Sequence, residues 1–402
     1  MSKTSSATSL FGLPTEIEYC SKCVISNQRP NSAVEMKSDG LNKKGIGFRD
    51  GVCDACRFNE EKQLEINWSQ RSDKFYSLLS KYRKNNEFYD VLVPSSGGKD
   101  SSYTAYLLKH KYDMNPLAIT WAPNMFTDIG RGNLESLTKI GEIDSLLFTP
   151  NGALHSHLTK LAFQNLCHPF QPFIHGQKVI GPKLAKNFGI KLVVYGENQA
   201  EYGNPIDDNN NPFMDLKFFS ADDAEEIRFG GEPIKDIIKV SKFKFSDFAS
   251  YIPLQKKDIE ENQIKMTYLG YFEKWDPQLI YYYVTEKTGF KPSPERSEGT
   301  YSRYTEIDDK IVPFHFYTTF VKFGIGRATY DACQEIRNGH LNRQEAVALV
   351  HKFDGEFPHK WFNDFIDYIN ISEDQFYEII DRNRSPHLWR KTSQGYELKY
   401  QV

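Results

Sequence analysis

The chain has no apolar run of the ~18 residues that a membrane-spanning helix needs. Its opening stretch, MSKTSSATSLFGLPTE, has no apolar core of signal-peptide length, so the expected location is cytoplasmic. No sign of charge dominates. Lys+Arg 50 stand against Asp+Glu 53, for a net charge of -3, and no basic face of the kind a nucleic acid requires is expected. Internal repeats and long low-complexity tracts are missing too, which excludes solenoids and disordered linkers as the main architecture. What is present is 39% apolar and 14% aromatic content in 402 residues, enough for two or three folded domains.

Cysteine is scarce, but four of the six form two CxxC pairs, Cys20/Cys23 and Cys53/Cys56. In a reducing compartment such pairs point to a metal and not to disulfides. Two tight turns, each offering two thiolates, suit a tetrahedral zinc that is closed to substrate and therefore structural. A redox dithiol or an iron–sulfur ligand set is the rival reading. The spacer, residues 24–52, is longer than the commonest zinc-ribbon spacing and is rich in turn formers. Zinc is expected to supply folding energy that residues 1–60 lack alone.

The stretch Phe88–Lys109 organises the remainder. Val91-Leu92-Val93 reads as a buried strand, Pro94-Ser95-Ser96-Gly97-Gly98 as a turn, and Ser101–Lys109 as a helix. A strand that turns through glycines into a helix aims free N–H groups at one point, where an anion binds. The turn is not a Walker A loop, which requires GxxxxGK[ST]. Further strands are expected at 116–121, 145–148 and 191–195, with helices at 133–141, 153–166 and 177–188, the last ending at Gly189. The alternation predicts an α/β fold with a doubly wound parallel sheet whose strand C-termini share one ligand-binding edge. Residues 57–85 read as one or two joining helices. At the shared edge lie the turn, then Thr120 and Trp121, placed to touch adenine or ribose, and then Glu197-Asn198-Gln199-Ala200-Glu201-Tyr202. Lys99 is the candidate to neutralise phosphate charge, and Asp100 to position a metal or the loop. Glu197 and Glu201 are candidate catalytic acids, while Asn198 and Tyr202 are candidate substrate contacts.

Ser96-Gly97-Gly98-Lys99-Asp100-Ser101 resembles the signature of the PP-loop ATP pyrophosphatases, which cleave ATP between its α and β phosphates. With the paired CxxC, GENQAEYG at 196–203, LGYFEKWD at 269–276, GFKPSPER at 289–296 and FGIGRATYD at 323–331, the chain resembles one family over residues 18–360. That family is the N-acetyl sugar amidotransferases of surface-polysaccharide and lipopolysaccharide O-antigen biosynthesis (WbpG-like and PseA-like proteins). The resemblance implies a PP-loop (HUP-like, Rossmann-like) sheet that uses ATP and Mg2+. It also implies a UDP-linked N-acetyl sugar whose acetamido group becomes an acetamidino group. AMP goes to the amide oxygen, and ammonia then substitutes at carbon. The resemblance further implies that ammonia comes from a separate glutaminase with an ammonia-channelling (HisH/HisF-like) partner, and no glutaminase signature surrounds Cys167 or Cys333. The alternatives are a PP-loop tRNA-modifying enzyme of the thiolation type and a non-catalytic nucleotide sensor.

The expected division is a cysteine module at 1–60, an ATP-binding α/β domain at 61–250 and a mostly helical substrate- or partner-binding region at 251–402. Aromatics from Tyr268 to Tyr283 read mainly as helix packing. Arg303, Lys322 and Arg327, beside glycines, are nominated for the sugar nucleotide's diphosphate. Asn342–Glu345 and Ser372–Gln375 read as capping boxes. His340, His351 and His359 lack ligand spacing, and Asp207–Pro212 reads as a polar loop over the strand edge.

Overall fold

The computed structural model describes residues 9–84, 88–205 and 210–402, so Asp207–Asn209 of the Asp207–Pro212 loop lie outside the described residues. A small hairpin of β1 (Phe48–Arg49) and β2 (Val52–Cys53) leads into α1 (Asp54–Leu64) and α2 (Trp68–Leu79). Next come β3 (Val91–Pro94), α3 (Lys99–His110), β4 (Pro116–Trp121), α4 (Asp128–Lys139) and β5 (Asp144–Phe148). They are followed by α5 (Gly152–Leu166), α6 (Gln171–Asn187) and β6 (Leu192–Tyr195). A second hairpin, β7 (Arg228–Phe229) with β8 (Glu232–Pro233), precedes β9 (Lys265–Tyr268). The large sheet has five strands in the order β5-β4-β3-β6-β9, and its pairings are all parallel.

Period-two alternation explains how the sheet is clothed. Leu92 and Val193 pack with Ile180 and Ala185 of α6 on one face, whereas Val91, Val93 and Val194 pack with Phe75, Ala105 and Leu108 on the other. Both faces are covered, as a doubly wound parallel sheet requires. Helix α6 starts at Gln171, before the expected 177, because Pro172 occupies the first turn, where its missing N–H leaves no bond unmade.

The expected boundary at residue 250 needs correction. β9 lies beyond it and pairs with β6 through Leu192↔Lys265 to Tyr195↔Tyr268, so the α/β unit reaches at least Tyr268. The sequence pattern there is short (Lys265-Met266-Thr267-Tyr268) and follows an irregular stretch, so it did not stand out as a strand. The remainder is mostly helical, with helices at Pro277–Lys287, Val312–Phe323, Arg327–Arg337, Arg343–Phe353, Phe362–Ile369 and Glu373–Arg382. Asn342 with Glu345 and Ser372 with Gln375 form the two capping boxes. The helical region does not stand apart: Ile325, Ala332, Cys333 and Ala346 pack against Val24, Ile25, Ile46 and the four paired cysteines.

Candidate active site

The turn between β3 and α3 is built from its own serines. The Ser95 hydroxyl accepts from Gly97 N at 3.2 Å and donates to Ser101 Oγ at 2.9 Å, and Ser101 Oγ donates to the Gly98 carbonyl at 3.2 Å. Gly97 holds φ at +81°, and a Cβ there would meet Leu134 Cα and N at 2.6 Å. Only glycine satisfies both demands. Gly98 caps α3 without any side-chain hydrogen bond, which leaves first-turn N–H groups of a twelve-residue helix free for an anion.

Two cavities open beside this turn. One of about 240 Å³ lies between the turn, Glu197, Tyr202, residues 304–308 and the helix Arg327–Arg337. The other, of about 250 Å³, lies on the α6 side, against Ser95, Ser101, Trp121, Lys178 and Tyr195. The C-terminal wall of the first cavity is stitched to α4. Thr127 N donates to Asp308 O at 3.2 Å, Lys310 N donates to Met125 O at 3.0 Å, and Asn133 exchanges two hydrogen bonds with the Lys291 backbone.

Charge in the first cavity is mixed but mainly acidic. Lys99 Nζ sits 2.6 and 2.7 Å from the two Asp100 oxygens. Arg327 Nη2 is 2.9 Å from Asp331 Oδ1, and its Nε is 3.7 Å from Glu306 Oε1. Tyr202 donates its hydroxyl to Glu197. Burial, with the Asp100 charge next, pushes Glu197 up to about 7, against the opposing pull of Lys99. Burial alone pushes Lys178 down to about 8, and its ammonium lies 4.8 Å from the centre of the Tyr195 ring.

The structure thus brings together Ser96, Gly97, Gly98, Lys99, Asp100, Glu197, Tyr202 and Arg327 on one cavity, with Ser101 and Trp121 on the other. Five expected residues go elsewhere. Glu201 is sealed in a buried ion pair, where Lys62 Nζ contacts its oxygens at 2.9 and 3.1 Å. That ammonium also donates to Trp275 O at 2.6 Å, so Glu201 is a brace between α1 and the helical region and not a catalytic acid. Thr120 is fully buried inside the sheet and lines neither cavity, because alternation turns it away from the edge that Trp121 reaches. Asn198 is buried as the cap of the short helix Gln199–Tyr202 and lines neither cavity. Arg303 is exposed and donates to Ser293 O at 2.9 Å. Lys322 is buried and donates to Leu166 O at 3.1 Å, away from either cavity. Adjacent glycines say nothing about which way a cation points, which is why these last two misled.

Several lining residues escaped the sequence. Lys178 sits inside a helix with no motif around it, Glu306, Asp308 and Glu335 fall in no motif, and Asp331 closes the FGIGRATYD block without a role of its own there. Only the packing of residues 304–308 on α4 turns them inward. Among the described residues no cysteine lines either cavity, and Cys167 and Cys333 are buried.

Cys20, Cys23, Cys53 and Cys56 converge. All four are buried, and their sulfurs lie within 4.8 Å of one another. The Cys23–Cys53 sulfur separation is 3.7 Å. Four sulfurs at ~2.3 Å from a tetrahedral zinc would stand ~3.8 Å apart, so the set fits such an ion. Cys23 N and Cys53 N approach Cys20 Sγ at 3.5 and 3.4 Å, as backbone amides do around a bound thiolate.

Residues 298–401 match the family described as LPS biosynthesis protein WbpG-like, C-terminal domain. Among curated proteins none matches the sequence. Two solved structures are similar over much of their length at 14% identity. The NMN synthetase from Francisella tularensis covers 78% of this chain and 97% of its own, at a TM-score of 0.30. The U34-tRNA thiolase NcsA from Methanococcus maripaludis, solved with its [4Fe-4S] cluster, covers 78% and 87%, at 0.27. At such TM-scores neither likeness bears on what this chain does.

Proposed function

We propose that this chain, whose residues 298–401 match the WbpG-like C-terminal domain, is an ATP-dependent, amidine-forming amidotransferase of glycan biosynthesis. Its substrate would be a UDP-linked N-acetyl sugar. An amide carbon is a poor electrophile, so its oxygen must first become a leaving group. Transfer of AMP from ATP to that oxygen, with release of pyrophosphate, achieves this, and ammonia then replaces AMP at carbon. The observation that carries the reading is the uncapped glycine turn, shared by two cavities and walled by the WbpG-like domain.

In this reading the turn amides and Lys99 hold the departing pyrophosphate. Trp121, Tyr195 and Lys178 border the adenosine side, and Arg327 faces the acceptor. Magnesium carried with the nucleotide would neutralise phosphate charge, with Asp100 and Glu197 as its protein ligands. Zinc on the four cysteines would stabilise the N-terminal module. The burial of both remaining cysteines argues against a thiolation enzyme and against a built-in glutaminase; ammonia would come from a separate glutaminase and its channelling partner.

The test is a reaction of the purified protein with ATP, magnesium, ammonium chloride and a panel of UDP-acetamido sugars, read by mass spectrometry. The expected product is about one mass unit lighter, as NH replaces O, and appears with AMP and pyrophosphate. Turnover on glutamine alone would overturn the partner assignment. ATP bound with unchanged affinity after Lys99→Met would overturn the assignment of the turn.

A further inference from the structure

Three independent features meet at Glu306, in the wall that the C-terminal domain contributes to the first cavity. Its backbone is left-handed, with φ of 58°, a conformation that is unfavourable for a residue with a side chain. Its side chain is only 1% exposed, yet neither carboxylate oxygen has a hydrogen-bond partner. Its nearest cation, Arg327 Nε, stands at 3.7 Å, beyond hydrogen-bond reach, and that guanidinium is already taken by Asp331. A buried carboxyl left with two idle oxygens is expensive, and a bound ligand that donates to both would offset that cost.

A carboxylate with both oxygens free suits a planar partner carrying two parallel N–H groups, and the surroundings favour a cation. Facing Glu306 are Arg327 and Asp331 from one helix, Asp308 from its own segment and Asp354 from the end of the following helix. Lys99, Asp100, Glu197 and Glu335 share the cavity. Acids outnumber bases around the opening.

Resting on the amidine-forming reading above, we propose that Glu306 is the catalytic base of this site and the counter-ion of its amidinium product. As the amide oxygen forms its bond to the α-phosphorus, the bond from that phosphorus to the bridging oxygen breaks and pyrophosphate leaves with the electron pair. The acetamido N–H proton passes to the Glu306 carboxylate and departs with pyrophosphate. Ammonia then bonds to the imidate carbon, the C–O bond breaks and AMP leaves with its electron pair. One ammonia proton moves to the sugar nitrogen by way of the same carboxylate. The amidinium left behind presents two N–H groups to the two oxygens in a bidentate pair. Burial raises the proton affinity of this carboxyl well above the usual carboxylate range, as a base for an N–H proton requires; the acceptor must therefore bind with Glu306 ionised, and an amidinium arriving at the empty site displaces a proton.

Acetamidinium chloride is a probe that requires no knowledge of the sugar. Calorimetric titration of the full chain near pH 7, in two buffers of different ionisation enthalpy, should show saturable binding with release of about one proton. Glu306→Gln should bind at least tenfold more weakly and release none. Its melting temperature and ATP affinity should stay near wild type. Wild-type protein that binds acetamidinium without proton release, or does not bind it, overturns the proposal, and this result stands even if the Gln variant fails to fold. Equal binding and proton release by a folded Glu306→Gln overturns it as well. Loss of the amidotransferase reading looks different: no UDP-acetamido sugar would then give a product about one mass unit lighter with AMP and pyrophosphate, whatever acetamidinium does.

Discussion

Gly97 and Glu201 show how one residue is tied to the site and another to the scaffold. At Gly97 any side chain faces a left-handed backbone and the α4 backbone at 2.6 Å, with no flexible neighbour to yield. Gly97→Ala should therefore lower stability by about 1–3 kcal/mol and weaken ATP binding at least tenfold. Thermal melts and nucleotide titration check both, and an alanine variant with normal ATP affinity would contradict the role given to the turn. Glu201 behaves differently. Its removal strands the fully buried Lys62 ammonium, a loss of about 3–5 kcal/mol for a sealed ion pair. Glu201→Ala should thus melt early, whereas the folded fraction should bind ATP as wild type does. Replacing both partners, by Lys62→Met with Glu201→Leu, should recover much of the loss. A double variant no more stable than the single one would show that the pair is not the cause.

The helix Arg327–Arg337 joins features that lie far apart in sequence. Its first turn supplies Arg327 to the cavity, its middle packs Ala332 and Cys333 on the cysteine module, and Arg337 donates to Glu201 O at 2.8 Å. Arg343, just beyond, donates to Cys23 O at 3.1 Å. A metal on the four cysteines would therefore steady a wall of the site while lying outside it. Removal of that metal by a chelator, or Cys20→Ser, should lower the melting temperature and the solubility of the chain before it changes the chemistry. Metal analysis beside thermal melts checks this, with loss of metal at unchanged stability as the contrary result. The same helix marks where sequence reading succeeds and stops. CxxC pairs and the SGGKDS turn are legible because their local geometry is their chemistry. The strands at 91–94, 116–121 and 192–195 are legible because apolar runs between turn residues have few other readings. Arg327 and Lys322 look alike in sequence, each a cation beside Gly324 or Gly326, and only tertiary packing sends one into the cavity and the other to Leu166.

At the scale of the whole molecule, the α/β unit and the helical region meet along a seam formed by residues 125–130 and 305–310. Neither half signals this contact, because its hydrogen bonds run through backbone groups such as Lys310 N to Met125 O. That is why Glu306 and Asp308 stayed hidden while the glycine turn opposite them did not. The seam also makes stability depend on pH. Asp309 lies in it at 2% exposure, with Oδ1 accepting from Ile311 N at 2.8 Å and Oδ2 unpartnered. Burial pushes its carboxyl up to about 8, whereas an unfolded aspartate titrates near ~3.9. Between those values the folded chain holds a proton that the unfolded chain has lost. This group's contribution is therefore most favourable at acid pH and declines as pH rises, by up to about 1.4 kcal/mol per pH unit, until it levels off above the folded value. Asp309→Asn keeps an oxygen for Ile311 N and cannot ionise. It should be more stable than wild type at pH 8, and the advantage should shrink steadily toward pH 5.5. Urea melts of the two proteins across that range measure the difference directly, and a gap that stays constant with pH would mean that Asp309 ionises in the fold as freely as in the unfolded chain.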